Sequence, residues 1–191
     1  MRINASQLPN LITLGRLALA PAFVLVLMDG NYTAALVLFF VAGVSDGMDG
    51  LIAKRFHYES RLGAILDPAA DKILLVSAYV VLTVLGHLPV WLVVVVAFRD
   101  LLIVGGYLLY TSMYGPVHMR PSTLSKLNTL VQLGLVVAVL AEQAAARYFP
   151  EAIQALVYAV FVTTVASGAH YLWAWGVMKE IEPARRARRN E

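Results

Sequence analysis

The chain has 191 residues, of which 60% are hydrophobic and only 14% are charged, which describes a protein dissolved in lipid rather than in water. Cysteine is absent, so disulfide bonds and thiolate chemistry are excluded. The net charge is +3, and the basic tail at residues 185–189 is too short to favour nucleic-acid binding. We interpret that tail as an anchor that contacts anionic lipid.

Six apolar segments follow one another along the chain. A helix needs about 20 mostly apolar residues to cross the hydrocarbon core of a bilayer. The segments that approach or exceed this length are residues 11–28, 33–53, 65–85, 88–110, 127–146 and 153–178. Because they use nearly the whole chain, we predict an all-α integral membrane protein with six transmembrane helices. The prediction is one domain over residues 1–191, with no separate soluble module.

The distribution of Lys and Arg predicts the orientation of these helices, since cytoplasmic loops are enriched in basic residues. With the N-terminus in the cytoplasm, eleven basic residues fall on the cytoplasmic side and only Arg147 on the other. We therefore expect both termini in the cytoplasm. We also expect the chain to lie in the cytoplasmic (inner) membrane.

Two pairs of aspartates interrupt the second and third segments. Asp46 and Asp49 lie in the second, and Asp67 and Asp71 lie at the start of the third. A carboxylate at the bilayer centre costs roughly 2.5–3.5 kcal/mol on insertion scales, so four of them require partners. Because the second helix runs inward and the third outward, all four are expected at one depth, near the cytoplasmic boundary.

Helical spacing places each acid pair on one face of its helix. The faces comprise Asp46, Asp49, Gly50 and Ala53 on the second helix and Gly63, Asp67 and Asp71 on the third. Four carboxylates on two antiparallel helices suit a hard cation such as Mg²⁺ or Mn²⁺, and the small residues leave room for a ligand. The alternative is that the acids pair with embedded bases such as Lys72 and Arg99 and only fasten helices.

Residues 46–54 and 63–71 resemble the signature of the CDP-alcohol phosphatidyltransferase family, D-x-x-D-G-x-x-A-R-x8-G-x3-D-x3-D. The only difference is Lys54, where the family usually has Arg. Lys keeps the positive charge but lacks the forked, bidentate donor geometry of Arg. The six apolar segments and the position of the motif are also similar to the family, so the resemblance covers the whole chain.

The resemblance implies a divalent-metal-dependent transferase that acts on CDP-diacylglycerol and releases CMP. It assigns two cations, Mg²⁺ or Mn²⁺, to Asp46, Asp49, Asp67 and Asp71, and it makes Asp71 a ligand or the base that takes the proton of the acceptor alcohol. It implies a CDP site lined by Gly50, Ala53, Lys54 and Gly63. It also implies a homodimer, and the predicted topology places the active site on the cytoplasmic side.

Four basic residues are candidates for binding the acceptor. Arg99 lies within the fourth segment, Arg120 and Lys126 flank the next cytoplasmic turn, and Arg16 lies near the inner end of the first segment. Each could hold a phosphate group. Alternatives remain: Arg120 and Lys126 as positive-inside charges, Arg16 as a snorkelling residue, and Arg99 paired with Asp100 or the acid cluster.

Residues 125–132 resemble the Ser-Lys-x-Asn-Thr-x-x-Gln stretch of the cardiolipin synthases of this family. The phosphatidylglycerophosphate synthases tend toward Lys at the position of Asn128. The resemblance therefore favours phosphatidylglycerol as the acceptor, giving cardiolipin, with glycerol 3-phosphate as the alternative. Asn128, Thr129 and Gln132 could instead serve only as hydrogen-bonding groups between helices.

An ion or proton transporter is the alternative from another class, since intramembrane acids also line ion pathways. Transporter sites typically lie near the bilayer midplane between internal repeats. Here the acids share a cytoplasmic depth, and no second half of the sequence mirrors the first. The pattern favours an enzyme. A non-catalytic scaffold would require the acids to be replaceable.

Overall fold

A computed structural model of the chain describes the backbone of residues 8–43, 63–114 and 122–187. It describes most side chains within residues 18–43, 72–112 and 122–173. All regular secondary structure in these ranges is α-helical. The helices, numbered α1 to α6 in chain order, are Leu8–Met28, Tyr32–Gly43, Gly63–Val84, Val90–Tyr114, Thr123–Ala144 and Pro150–Ala187. Each predicted apolar segment lies within one helix over its described part, to within two residues at either end, which confirms the all-α prediction.

A tight turn joins α1 to α2. Gly30 adopts a φ of 75°, a left-handed conformation that costs glycine little because it has no Cβ. Asn31 then caps α2, since its Oδ1 accepts a hydrogen bond from the backbone N–H of Ala34 at 3.1 Å. Phe23 of α1 and Phe39 of α2 pack with their ring centroids 5.7 Å apart. The short polar turn therefore places α2 against α1 in an antiparallel arrangement.

The chain divides into two compact units. The first comprises Met1–Pro89 and Leu133–Ile153, and the second comprises Val90–Gln132 and Gln154–Glu191. In the first unit α1 packs against α3, with Leu27 and Leu82 fully buried. In the second unit Leu92 and Val160 are fully buried, and Trp91 contacts Phe161 edge-on at 5.5 Å. The single domain over residues 1–191 stays a prediction.

Within the part of the chain that the structure describes, two helices are long and apolar enough to cross a membrane, over Thr123–Ala144 and Pro150–Trp173. Three shorter apolar stretches lie in α1, α2 and α3. Large apolar side chains such as Phe40, Phe98 and Leu101 are exposed, and surfaces of this kind suit lipid or protein partners. The six-span topology and the orientation of the termini stay predictions.

A polar contact joins the start of α2 to the turn after α3, within the first unit. The hydroxyl oxygen of Tyr32 lies 2.8 Å from Nε2 of His87, and the two rings meet edge-on. Burial lowers the pKa of His87 below its ordinary value of 6.5, while the carboxylate of Glu142 acts in the opposite direction. A neutral ring protonated at Nδ1 lets Nε2 accept the hydrogen bond from Tyr32.

We expect the thermal stability to fall as the pH drops below about 6.5, because protonation of His87 is easier in the unfolded chain. The contribution of His87 is fully present above its unfolded pKa and is lost as the pH falls through the lowered folded pKa. Melting temperatures at neutral pH and at about pH 5.5 test this, with a lower melting temperature expected at the acidic pH. His87→Gln should remove that part of the pH dependence. An identical pH dependence in the two proteins would contradict the assignment.

Candidate active site

Half of the acidic signature lies on α3. Gly63 is the first residue of that helix, and Asp67 and Asp71 follow within the same unbroken helix, as the i, i+4, i+8 spacing predicts. Pro68 also lies inside α3. The side chains of α3 are described from Lys72 onward. The structure thus confirms the helical backbone of this half of the signature, and the facing of the two acid pairs stays a prediction.

The other half of the signature lies outside the described residues, as does one acceptor candidate. These residues are Asp46, Asp49, Gly50, Ala53, Lys54 and Arg120. Arg16 lies in α1, in a part where the backbone alone is described. Among the side chains that the structure describes, no three acidic or histidine residues gather into a metal-binding group. The predicted metal and CDP ligands therefore stay predictions.

Arg99 of α4 is the centre of a buried polar cluster in the second unit. Its Nη1 donates to Oδ1 of Asp100 at 2.8 Å, and its Nη2 donates to Oγ of Ser125 at 2.7 Å and to Oγ of Ser167 at 2.5 Å. The residue is only 5% exposed. The guanidinium also lies 6.0 Å from the ring centroid of Tyr171. One side chain of α4 thus holds both α5 and α6.

The chemistry of this cluster explains how an arginine is accommodated in an apolar helix. A buried guanidinium is costly unless a counter-charge and hydrogen-bond acceptors replace water. Asp100 supplies the charge, and the two serine hydroxyls supply neutral acceptors. The sequence left open whether Arg99 pairs with Asp100 or with the acid cluster, and the structure shows the pair with Asp100. The role of Arg99 in acceptor binding stays a prediction.

A second polar layer lies one helical turn later on α5 and one turn earlier on α6. Asn128 is fully buried, and its Oδ1 accepts hydrogen bonds from the hydroxyls of Thr163 and Thr164, each at 2.9 Å. The two layers are adjacent because Ser125 and Asn128 are three residues apart on α5, and Thr164 and Ser167 are three apart on α6. Asn128 therefore does form the interhelical hydrogen bonds that the sequence offered as one alternative.

Sequence reasoning missed the hydroxyl residues of α6. Thr163, Thr164 and Ser167 follow helical spacing inside an apolar run, and that spacing was the available signal. Hydroxyl side chains in such a run are enriched where helices pack closely or hydrogen-bond to one another. The distribution of charged residues alone did not reveal them.

Lys126 occupies a different environment from Arg99, although both are acceptor candidates. Its side chain is exposed in the first turn of α5, directly after Ser125. Ser122 caps this turn, since its Oγ accepts a hydrogen bond from the backbone N–H of Ser125 at 3.1 Å. A lysine at this place can meet a ligand without first giving up a buried partner.

Comparison with known proteins decides the family. The sequence model of the CDP-alcohol phosphatidyltransferases matches residues 6–177, which is most of the chain. The chain belongs to this family. The resemblance of the acidic signature is thereby confirmed, and the transporter alternative is set aside because the family is one of phosphatidyltransferases.

Several curated relatives carry informative names. A probable cardiolipin synthase (CMP-forming) of Drosophila melanogaster is 33% identical over 187 residues, covering 90% of this chain and 58% of that protein. The cardiolipin synthase of Rattus norvegicus is 34% identical over 154 residues, covering 72% and 51%. A CDP-diacylglycerol–glycerol-3-phosphate 3-phosphatidyltransferase of Bacillus subtilis is 31% identical over 190 residues, covering 91% and 97%.

The chain spans about half the length of the animal cardiolipin synthases it matches. The relatives are named as cardiolipin synthases and as a CDP-diacylglycerol–glycerol-3-phosphate 3-phosphatidyltransferase, which are the two activities that the sequence left open. Family membership and the two long apolar helices together indicate a membrane protein.

Proposed function

We propose that this chain transfers the phosphatidyl group of CDP-diacylglycerol to phosphatidylglycerol, giving cardiolipin and CMP. The observation that carries the proposal is the acidic signature at residues 46–71 inside a family match over residues 6–177. In the reaction the acceptor hydroxyl loses its proton, its oxygen forms a bond to the phosphorus of the phosphatidyl group, and the bond from that phosphorus to the CMP oxygen breaks.

The donor set of the signature fits two divalent cations. Its four carboxylates are hard oxygen ligands, and neither Cys nor His lies at the signature positions, which suits Mg²⁺ or Mn²⁺. Asp46, Asp49 and Asp67 would hold the cations together with Asp71. Bound cations supply charge neutralisation for the pyrophosphate of the CDP-lipid.

Asp71 would take the proton of the acceptor hydroxyl, either as a free base or while it shares a cation. The nucleotide would lie against Gly50, Ala53 and Gly63, whose small side chains permit close approach. Lys54 would contribute its charge to the phosphates. Lysine acts there as a point charge, and arginine would supply the same positive charge. Nucleotide binding is therefore expected to tolerate Lys54→Arg.

The acceptor site would depend on the basic residues Arg99, Arg120, Lys126 and Arg16, either through direct contact with the acceptor or by positioning a residue that makes this contact. Phosphatidylglycerol is favoured because residues 125–132 carry Asn128 within the stretch that resembles cardiolipin synthases. Glycerol 3-phosphate is the second candidate, because the Bacillus subtilis relative is named for that acceptor and aligns with 91% of this chain.

The membrane arrangement is part of the proposal. Six transmembrane helices, both termini in the cytoplasm and an active site facing the cytoplasm of an inner membrane account for the bias of Lys and Arg. A homodimer is proposed from family membership. The orientation can be tested with single cysteines introduced at predicted loop positions. The measurement is whether a membrane-impermeant thiol reagent labels each cysteine from the cytoplasmic or from the opposite side of the membrane.

We expect purified protein in mixed micelles to release CMP from CDP-diacylglycerol when Mg²⁺ or Mn²⁺ and phosphatidylglycerol are present. Parallel reactions with glycerol 3-phosphate and inositol phosphate identify the acceptor, with lipid products separated by chromatography and mass spectrometry. Cardiolipin as the main product supports the first candidate, and phosphatidylglycerophosphate supports the second. An absence of CMP release with every acceptor, from protein that retains its helical circular dichroism, would contradict the transferase proposal.

A further inference from the structure

We propose that Arg99 is a positioning residue for the acceptor site, rather than a residue that itself binds the acceptor. In this proposal its guanidinium fixes the first turn of α5 against α6, and thereby sets the place of Lys126, which contacts the phosphate of the acceptor. The inference rests on the proposed transferase function and deepens it, because it assigns different roles to the side chains of Arg99 and Lys126.

The first argument is the hydrogen bonding of the guanidinium. Nη1 bonds Asp100, and Nη2 bonds both Ser125 and Ser167 at distances of 2.8, 2.7 and 2.5 Å. Arginine binds phosphate most strongly through two parallel N–H groups of its fork. Nη2 already donates to two serine hydroxyls, and both parallel N–H pairs of the guanidinium include Nη2, so a bidentate grip on a substrate would require one of these bonds to break.

The second argument is access. Arg99 is 5% exposed, and its remaining nitrogen, Nε, is buried without a hydrogen-bond partner among the described residues. An acceptor phosphate could reach that nitrogen only by displacing the side chains around it. Protein interiors pack densely, and such displacement costs contacts as well as hydrogen bonds.

The third argument is the connection to Lys126. Ser125 accepts a hydrogen bond from Arg99 through its side chain, and its backbone N–H donates to the capping Ser122. The next residue is Lys126, whose side chain is exposed. A side chain on α4 therefore restrains the turn of α5 that carries an exposed cation, while Ser167 restrains the same guanidinium from α6.

A double-mutant cycle with Arg99→Gln and Lys126→Gln tests the proposal, with the KM for the acceptor and the KM for CDP-diacylglycerol measured separately. Each single variant is expected to raise the acceptor KM by roughly 10- to 100-fold, with a smaller change in the KM for the CDP-lipid. Because Arg99 acts through Lys126, the double variant should be little worse than Lys126→Gln alone. Independent contacts with the acceptor would instead multiply the two effects, and that result would overturn the proposal.

A second cycle uses milder changes that preserve the buried ion pair. Ser125→Ala is expected to raise the acceptor KM by several-fold in the wild-type background but not in the Lys126→Gln background, and Ser125→Thr should restore the wild-type value. The same increase in both backgrounds would contradict the proposed route through Lys126. So would a wild-type acceptor KM in Ser125→Ala.

Gly168→Ala is the matched control. It adds a methyl group beside Ser167 that would lie at an ordinary contact distance of 3.7 Å from Cγ of Arg99 and leave the hydrogen bonds in place. We expect wild-type kinetics from this variant. A wild-type protein that releases no CMP would refute the proposed function, whereas active wild-type protein with multiplicative cycles would refute only the positioning role.

Discussion

Asp71→Asn is expected to reduce CMP release by roughly 10²- to 10⁴-fold, the usual range for loss of a positioned general base. The amide is nearly isosteric with the carboxylate, but it cannot accept the proton of the acceptor hydroxyl. Asp71 lies in α3, in the same helix as Gly63 and Asp67. Because the two side chains have nearly the same size, the substitution is expected to leave the helix intact. The measurement is single-turnover CMP release at saturating CDP-diacylglycerol and acceptor.

The control for this substitution is Asp29→Asn, which makes the same chemical change at an exposed residue in the turn between α1 and α2. It is expected to retain wild-type turnover. Binding of CDP-diacylglycerol to Asp71→Asn should stay measurable by titration calorimetry, because three carboxylates of the signature remain. Turnover of Asp71→Asn at the wild-type rate would remove Asp71 from the chemistry.

Removal of divalent cations is the second change with a large expected effect. A chelator in excess should bring CMP release to background, and either Mg²⁺ or Mn²⁺ should restore it, because four adjacent carboxylates cannot hold a pyrophosphate without an intervening positive charge. Asp67→Asn should shift the Mn²⁺ dependence to concentrations at least about tenfold higher. The paramagnetic resonance of free Mn²⁺ measures binding directly and does not depend on turnover.

Two outcomes would contradict the metal proposal. Full activity in chelator would show that the acids act without cations. Equal Mn²⁺ binding by the wild type and by Asp67→Asn would show that Asp67 is not a ligand. Asp29→Asn again serves as the control, since it removes one negative charge without touching the signature.

The helices were predictable because their cause is local. Apolar runs long enough to cross a bilayer favour helices, because a helix satisfies its own backbone hydrogen bonds, and each predicted segment lies within a helix over its described part, to within two residues at either end. The turn at Gly30 also has a local cause, because a glycine between two polar residues permits the left-handed backbone conformation found there. The acidic signature was also recognisable from the sequence, because it is defined by residue types at fixed spacing along two neighbouring segments.

The environment of Arg99 could not be predicted from the sequence in the same way. The sequence offered Asp100, the acid cluster and the acceptor as its partners, and it did not point to Ser125 or Ser167. Those serines lie 26 and 68 residues away along the chain. Their approach to Arg99 depends on how α4, α5 and α6 are rotated about their axes.

By itself, then, the sequence determined the all-helical class, the helices in chain order, the acidic signature and the family that the comparisons confirmed. The tertiary structure alone decided that Arg99 is a buried tie among three helices, that Asn128 bonds to the threonines of α6, and that Lys126 stays exposed. The physical reason is that spacing along one helix sets which residues share a face. Which helix faces pack against each other depends on many apolar contacts between helices. A short sequence motif therefore does not predict this packing.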